Sequence, residues 1–126
     1  SLCNTAGVDL GGRRIIKKTI PIGKLDWVWA RLDRAPQQAN APLPPLVLMV
    51  HGFPGDSLSY GDIFGDLSKQ LVSMGLDTLR FDMRGCGQSD KGARFFTIKT
   101  AHEDGLCGIR WALKQGYNDF ILITEG

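Results

Sequence analysis

Five consecutive apolar residues, Leu46-Val47-Leu48-Met49-Val50, run directly into His51-Gly52-Phe53-Pro54-Gly55. The run is of strand length, and with no polar residue on either side of the pleat it suits a strand covered on both faces. Such strands belong to parallel sheets, where each parallel neighbour is reached through a crossover, usually a helix. The next residues supply one. Ile63, Phe64, Leu67, Leu71 and Met74 recur at helical spacing and predict a helix over about 58–74 with those residues inward and Gly75 as its C-terminal stop. Leu76–Phe81 reads as a strand. A second helix is expected over about 97–115, with Ile98, Ala101, Leu106, Ile109 and Leu113 inward, Gly116 as its stop, and Gly105 and Gly108 weakening its middle. Asp119–Thr124 reads as a further buried strand that runs into a sharp turn at Glu125-Gly126.

Upstream, Arg13–Ile22 and Lys24–Asp33 lean toward strands around Pro21 and Gly23. Leu25, Trp27 and Trp29 alternate with Asp26, Val28 and Ala30, which predicts one strongly apolar face carrying the tryptophans. Residues 34–45 hold four of the six prolines and read as an exposed connector. The expected class is α/β: a mostly parallel sheet flanked by helices, with 46–50, 76–81 and 119–124 as parallel neighbours. Residues 14–33 form an antiparallel edge hairpin in this reading, 34–45 the connector and 46–126 the core. All of 1–126 is then one portion of a single domain.

Composition excludes several function classes. At 126 residues the chain amounts to one domain or less, and 43% hydrophobic content is ordinary for a packed core. A net charge of +2 with no basic stripe gives no footing for nucleic acid or an anionic membrane. No apolar run is long enough to span a bilayer, and the start Ser1-Leu2-Cys3 shows no signal peptide. Cys3, Cys86 and Cys107 lack metal-ligand spacing, so neither a disulfide framework, a metal nor a cofactor is expected, and a reduced cytoplasm fits best.

Chemistry is expected in the loops after the strands, where open α/β sheets bind ligands. His51-Gly52-Phe53-Pro54 is either a plain tight turn or a turn that presents a backbone N–H to a substrate. Asp82-Met83-Arg84-Gly85-Cys86-Gly87-Gln88-Ser89 reads as architecture: Gly85 and Gly87 permit positive φ, while Asp82, Arg84 and Ser89 bind loop backbone. It is not a dinucleotide fingerprint, because no helix opens on it. His102, beside Glu103 and Asp104, suits a helix surface. Ser57, Ser59 and Ser89 have no local base. Cys86 stands near the rim beside Arg84, and a structural role is the stronger reading.

These motifs together, His51-Gly52-Phe53-Pro54, Leu79-Arg80-Phe81-Asp82-Met83-Arg84-Gly85 after a helix ending in Gly75, and the strand at 119–124, resemble the front half of the α/β-hydrolase superfamily. The likeness covers most of 15–126 and lies toward the esterase and peptidase-like branch. It implies hydrolysis of a small ester-like substrate by nucleophilic attack. Phe53 N–H would then be an oxyanion donor, worth about 3–4 kcal/mol of barrier. His51, Gly52 and Pro54 would support that loop, and His51 would not be the catalytic base. The family also expects Gly-x-Ser-x-Gly after the 119–124 strand. One register places Gly126 at the nucleophile; a shift of one residue places the nucleophile just after it. The nucleophile, acid and histidine are thus expected beyond Gly126, or on a second polypeptide that completes the fold, for which self-cleavage after Gly126 is one route. Two alternatives remain open: an inactive binding or scaffold relative, and an epoxide or carbon–carbon bond hydrolase, since His-Gly-Phe-Pro occurs there too.

Overall fold

A computed structural model describes residues 4–8, 14–21, 27–37, 40–53, 55–59, 62–89 and 96–125. The strands are β1 (Asn4–Val8), β2 (Arg14–Pro21), β3 (Trp27–Arg34), β4 (Leu46–Val50), β5 (Asp77–Phe81) and β6 (Phe120–Thr124). Helix α1 (Ile63–Ser73) joins β4 to β5, and α2 (Ile98–Lys114) precedes β6. All six strands form one sheet in the order β1-β2-β3-β5-β4-β6. As expected, β4 runs parallel to both β5 and β6, while β2 and β3 form an antiparallel hairpin that joins the sheet through the antiparallel β3–β5 pair. Strand β1, which extends the hairpin by one more antiparallel partner, was not legible in the sequence.

The uninterrupted apolar run of β4 has the burial it implies. Leu46 and Leu48 join Val28, Ala30, Leu32, Leu79, Phe81, Ala112 and Tyr117 on the α2 side, while Val47 and Met49 pack with Phe64 on the α1 side. Strand β5 divides its faces by chemistry. Leu79 and Phe81 enter the apolar cluster, whereas Thr78 and Arg80 face a buried polar group containing Asp33 and Ser68. Ser68 Oγ donates to Asp33 Oδ2 at 2.7 Å and lies 2.5 Å from Thr78 Oγ1, so these polar atoms are paired inside the core.

Several expected faces are corrected. In α1 the buried residues are Phe64, Ser68 and Val72, with Leu67 and Leu71 packed beside them; Ile63 and Met74 are exposed. In α2 the buried line is Asp104, Gly108 and Ala112, whereas Leu106 and Leu113 are half-exposed and Ile98 is 92% exposed. Glycine explains the shift: a Cβ on Gly108 would stand 3.2 Å from Phe81 Cε1, so this small residue admits the ring and draws the 104–108–112 face inward. Ile98 follows directly on Thr97, whose hydroxyl accepts the Thr100 N–H at 3.0 Å in a capping box. Similarly, the core face of β3 is Val28, Ala30 and Leu32, while Trp29 is only partly buried.

Strand β6 is also less buried than expected. It pairs with β4 and, among the described residues, with no strand on its other edge. Its adjacent residues Ile121 and Leu122 are 46% and 60% exposed. Neighbouring strand residues point to opposite faces, so apolar surface is bare on both sides of this edge.

Candidate functional site

The C-terminal ends of β4, β5 and β6 bring together three groups of residues: 51–53 with 55–59, 82–89, and Glu125. Each is held by hydrogen bonds that the bare sequence does not reveal. His51 is buried, and its Nε2 accepts the Met83 N–H at 3.1 Å. That donor leaves the ring proton to Nδ1, which donates to Gly52 O at 2.7 Å. Both ring nitrogens are thereby committed to backbone, so the imidazole splints the two loops and offers neither a free base nor a free acid to a substrate.

Asp82, the first residue beyond β5, performs the reciprocal task. Its Oδ1 accepts the Ser57 N–H at 2.6 Å and its Oδ2 the Gln88 N–H at 2.8 Å. Arg80, buried in the same strand, adds a longer bond from Nη1 to Ser57 O at 3.3 Å. Burial lowers the pKa of this guanidinium, and the attraction of Asp33 opposes the shift. Ser89 Oγ accepts the Trp29 N–H at 2.9 Å and donates to Asp82 O, joining the second loop to β3.

Glycine is required at specific points. Gly85 and Gly87 have φ of 84° and 51°. A Cβ on Gly87 would fall 2.3 Å from Asp82 Oδ2, and one on Gly55 would fall 2.7 Å from Gly52 O. Each glycine therefore makes room for the contact that shapes its loop. Arg84 reaches helix α2: its Nε meets Asp104 Oδ1 at 2.9 Å and its Nη2 meets Glu103 Oε2 at 2.8 Å. Asp104 Oδ2 also accepts the Arg84 N–H at 2.8 Å. Burial raises the Asp104 pKa despite this pairing. Burial alone would lower the Arg84 pKa, but the bond to Glu103 and the charge of Asp104 outweigh it and the net shift is upward.

Phe53 lies at the top of the site. Its ring is 54% exposed and stacks on Phe96 at 4.5 Å with an 18° interplanar angle. Among the described residues no acceptor meets its backbone N–H. Cys86 is buried, and burial pushes its thiol pKa up, with Asp82, Asp56 and Asp104 adding to the effect; this is the opposite of an activated thiolate. His102 is exposed. Pro54 and Gly126 lie outside the described residues.

Sequence reasoning missed Glu125. It continues the β4 ladder by donating its N–H to Val50 O at 3.1 Å, and its Oε1 accepts the Gly52 N–H at 3.1 Å. Its Oε2 accepts the Ser59 hydroxyl. These partners lie too far away in the chain for any local signal to connect them. Among the described residues no group of three or more His, Cys, Asp or Glu side chains is placed to hold a metal, and no helix is long and apolar enough to cross a membrane.

The fold recurs in known proteins. A family model for the alpha/beta hydrolase fold matches residues 45–108, just over half of the chain. Est1E from Butyrivibrio proteoclasticus, solved with ferulic acid bound, is 26% identical with a TM-score of 0.73, covering 86% of this chain and 42% of its own. An acetyl xylan esterase from Paenibacillus sp. R4 has a TM-score of 0.76 at 14% identity, covering 98% of this chain and 45% of its own. XC6422 from Xanthomonas campestris, an a/b serine hydrolase without lid, has a TM-score of 0.65 at 17% identity, covering 96% of this chain and 50% of its own. The chain thus spans half or less of the length of these structures. No curated protein matches it in sequence. With its parallel β5-β4-β6 core, its loops at the strand ends and the match across 45–108, the chain belongs to the alpha/beta hydrolase fold family.

Proposed function

We propose that this chain is the front half of an acyl hydrolase acting on carboxylic esters, and that residues 51–55 form its oxyanion loop. One observation carries the reading. Phe53 N–H stands beyond the C-terminal end of β4 without an acceptor among the described residues, in a loop fixed by His51, Asp82, Arg80 and Glu125. A preorganised backbone donor is what a tetrahedral oxyanion requires, and a rigid setting spares reorganisation as charge develops. The ferulic acid bound by Est1E, which is 26% identical, is a carboxylic acid of the kind ester cleavage releases, and this favours an ester substrate over an epoxide.

The nucleophile, acid and catalytic histidine are assigned to the remainder of the fold, continuous with this chain or separate from it. The bare edge of β6 supports that assignment, because unpaired strand edges with apolar faces call for a covering element. Release of p-nitrophenol from short-chain p-nitrophenyl esters by the complete gene product tests the reading, with styrene oxide as a parallel substrate. Ester turnover is expected. Epoxide opening without ester turnover would move the chain to the epoxide hydrolases, and inertness toward both would favour a scaffold.

A further inference from the structure

We infer that Glu125 is the positioning residue of the oxyanion loop, tying Gly52 at its start to Ser59 beyond its end from the tip of β6. The inference rests on the reading of 51–55 as that loop. The carboxylate is anchored from behind, because the Glu125 N–H donates to Val50 O at 3.1 Å and so continues the β4–β6 register past Val50–Thr124. The side chain then reaches over the end of β4. Oε1 takes the Gly52 N–H at 3.1 Å, at the first turn of the loop, and Oε2 takes the hydroxyl of Ser59, in the segment that follows it. A carboxylate is an acceptor-only group with two oxygens, so it suits two converging donors better than any neutral side chain.

The loop's backbone shows why a clamp is needed. Ser59 has φ of 61°, a left-handed conformation that a non-glycine residue holds only when its surroundings fix it. Gly52 is the residue immediately before Phe53, so the plane of the Gly52–Phe53 peptide, and with it the direction of Phe53 N–H, follows from how Gly52 is held. His51 fixes the Gly52 carbonyl through Nδ1 while Glu125 fixes the Gly52 N–H. Residue 125 adjoins the turn where the family places its nucleophile. The same residue would therefore set the oxyanion donor and the nucleophile's turn in one frame.

Three variants of the complete gene product test this: Glu125→Leu, Glu125→Gln and Ser59→Ala. Deuterium exchange is read by mass spectrometry on peptides covering 51–59, with 44–50 as a folding control, alongside kcat and KM for p-nitrophenyl acetate. Glu125→Leu is expected to speed exchange in 51–59 about tenfold, as loss of a hydrogen-bond acceptor implies, and to leave 44–50 unchanged. It should lower kcat by about a hundredfold with KM nearly constant, because misaligning a donor costs transition-state binding. Ser59→Ala should give the same pattern at smaller size. Glu125→Gln should recover most of both effects, since its carbonyl can face Gly52 and its amide can donate to Ser59 Oγ. Wild-type exchange rates in Glu125→Leu would overturn the clamp whatever the activity, and so would a Glu125→Gln variant as loose as Glu125→Leu. A loop that loosens as described in a protein that hydrolyses no ester would leave the clamp standing and remove the esterase reading.

Discussion

His51, the last polar step out of β4, accepts the backbone N–H of Met83, the second residue beyond β5, at 3.1 Å. One buried ring therefore couples the two site loops. Removing the acceptor strands a buried N–H, which costs about 1–3 kcal/mol. His51→Leu is expected to lower the unfolding free energy by that amount, read as a lower urea midpoint with an unchanged slope. An unaltered midpoint would mean that the Met83 N–H finds water instead.

Gly87 and Gly105 should respond in opposite directions to the same substitution. Gly87→Ala drives a methyl to 2.3 Å from Asp82 Oδ2 and strains a φ of 51°, so Asp82 must release the Ser57 and Gln88 amides. A loss of roughly 3 kcal/mol is expected. Gly105 lies inside α2 with nothing within 4 Å of where a Cβ would stand, so Gly105→Ala should gain about 0.5–1 kcal/mol. Thermal melts of the two variants check both signs.

Arg84 and Asp104 form an unequal pair. Arg84→Met leaves the fully buried Asp104 carboxylate without its guanidinium, at a cost of about 3–5 kcal/mol. Asp104→Asn keeps an acceptor for the Arg84 N–H and removes a charge whose ionisation burial already disfavours, as its raised pKa records. It should therefore cost less than Arg84→Met. Chemical unfolding of both at neutral pH decides the order, and equal losses would contradict the account.

Tyr117 makes stability fall in alkali. Burial, followed by its 2.5 Å bond to Asp77 Oδ2, raises its pKa well above the ordinary tyrosine value. A folded-state pKa above the unfolded one gives stability that is whole below the unfolded value, about 10, and is lost as pH rises toward the folded one. The Cys86 and Cys107 thiols, raised chiefly by burial, act with the same sign from a lower pH. Melting temperature should drop progressively above about pH 10 in the wild type. In Tyr117→Phe it should start lower but fall less steeply, and parallel curves would remove Tyr117 from the explanation.

What the sequence made legible follows the range of its signals. The β4 run, the spacing of helix glycines 75 and 116, and the loop glycines 85 and 87 are local features, and the structure gives all four glycines positive φ. Helix faces were read from apolar periodicity alone, which failed where Ser68 and Asp104 are buried with polar partners and where Gly108 admits Phe81. The motif residues come together in the candidate site. The tethers that hold it, from Glu125 to Gly52 and from Asp82 to Ser57, join residues distant in the chain and emerge only when the strands align.

The Phe53 N–H is the center of the functional reading, and deleting that single donor tests it most directly. Phe53→Pro removes the N–H, whereas Phe53→Ala keeps it and removes only the ring stacked on Phe96. In the complete gene product, with thermal melts confirming that both variants fold, kcat for p-nitrophenyl acetate should fall about a hundredfold to a thousandfold in Phe53→Pro. Phe53→Ala should stay within about threefold of wild type in kcat, as a lost side chain leaves the backbone donor in place. Equal kcat values for the two folded variants would contradict the assignment of Phe53 N–H as the oxyanion donor.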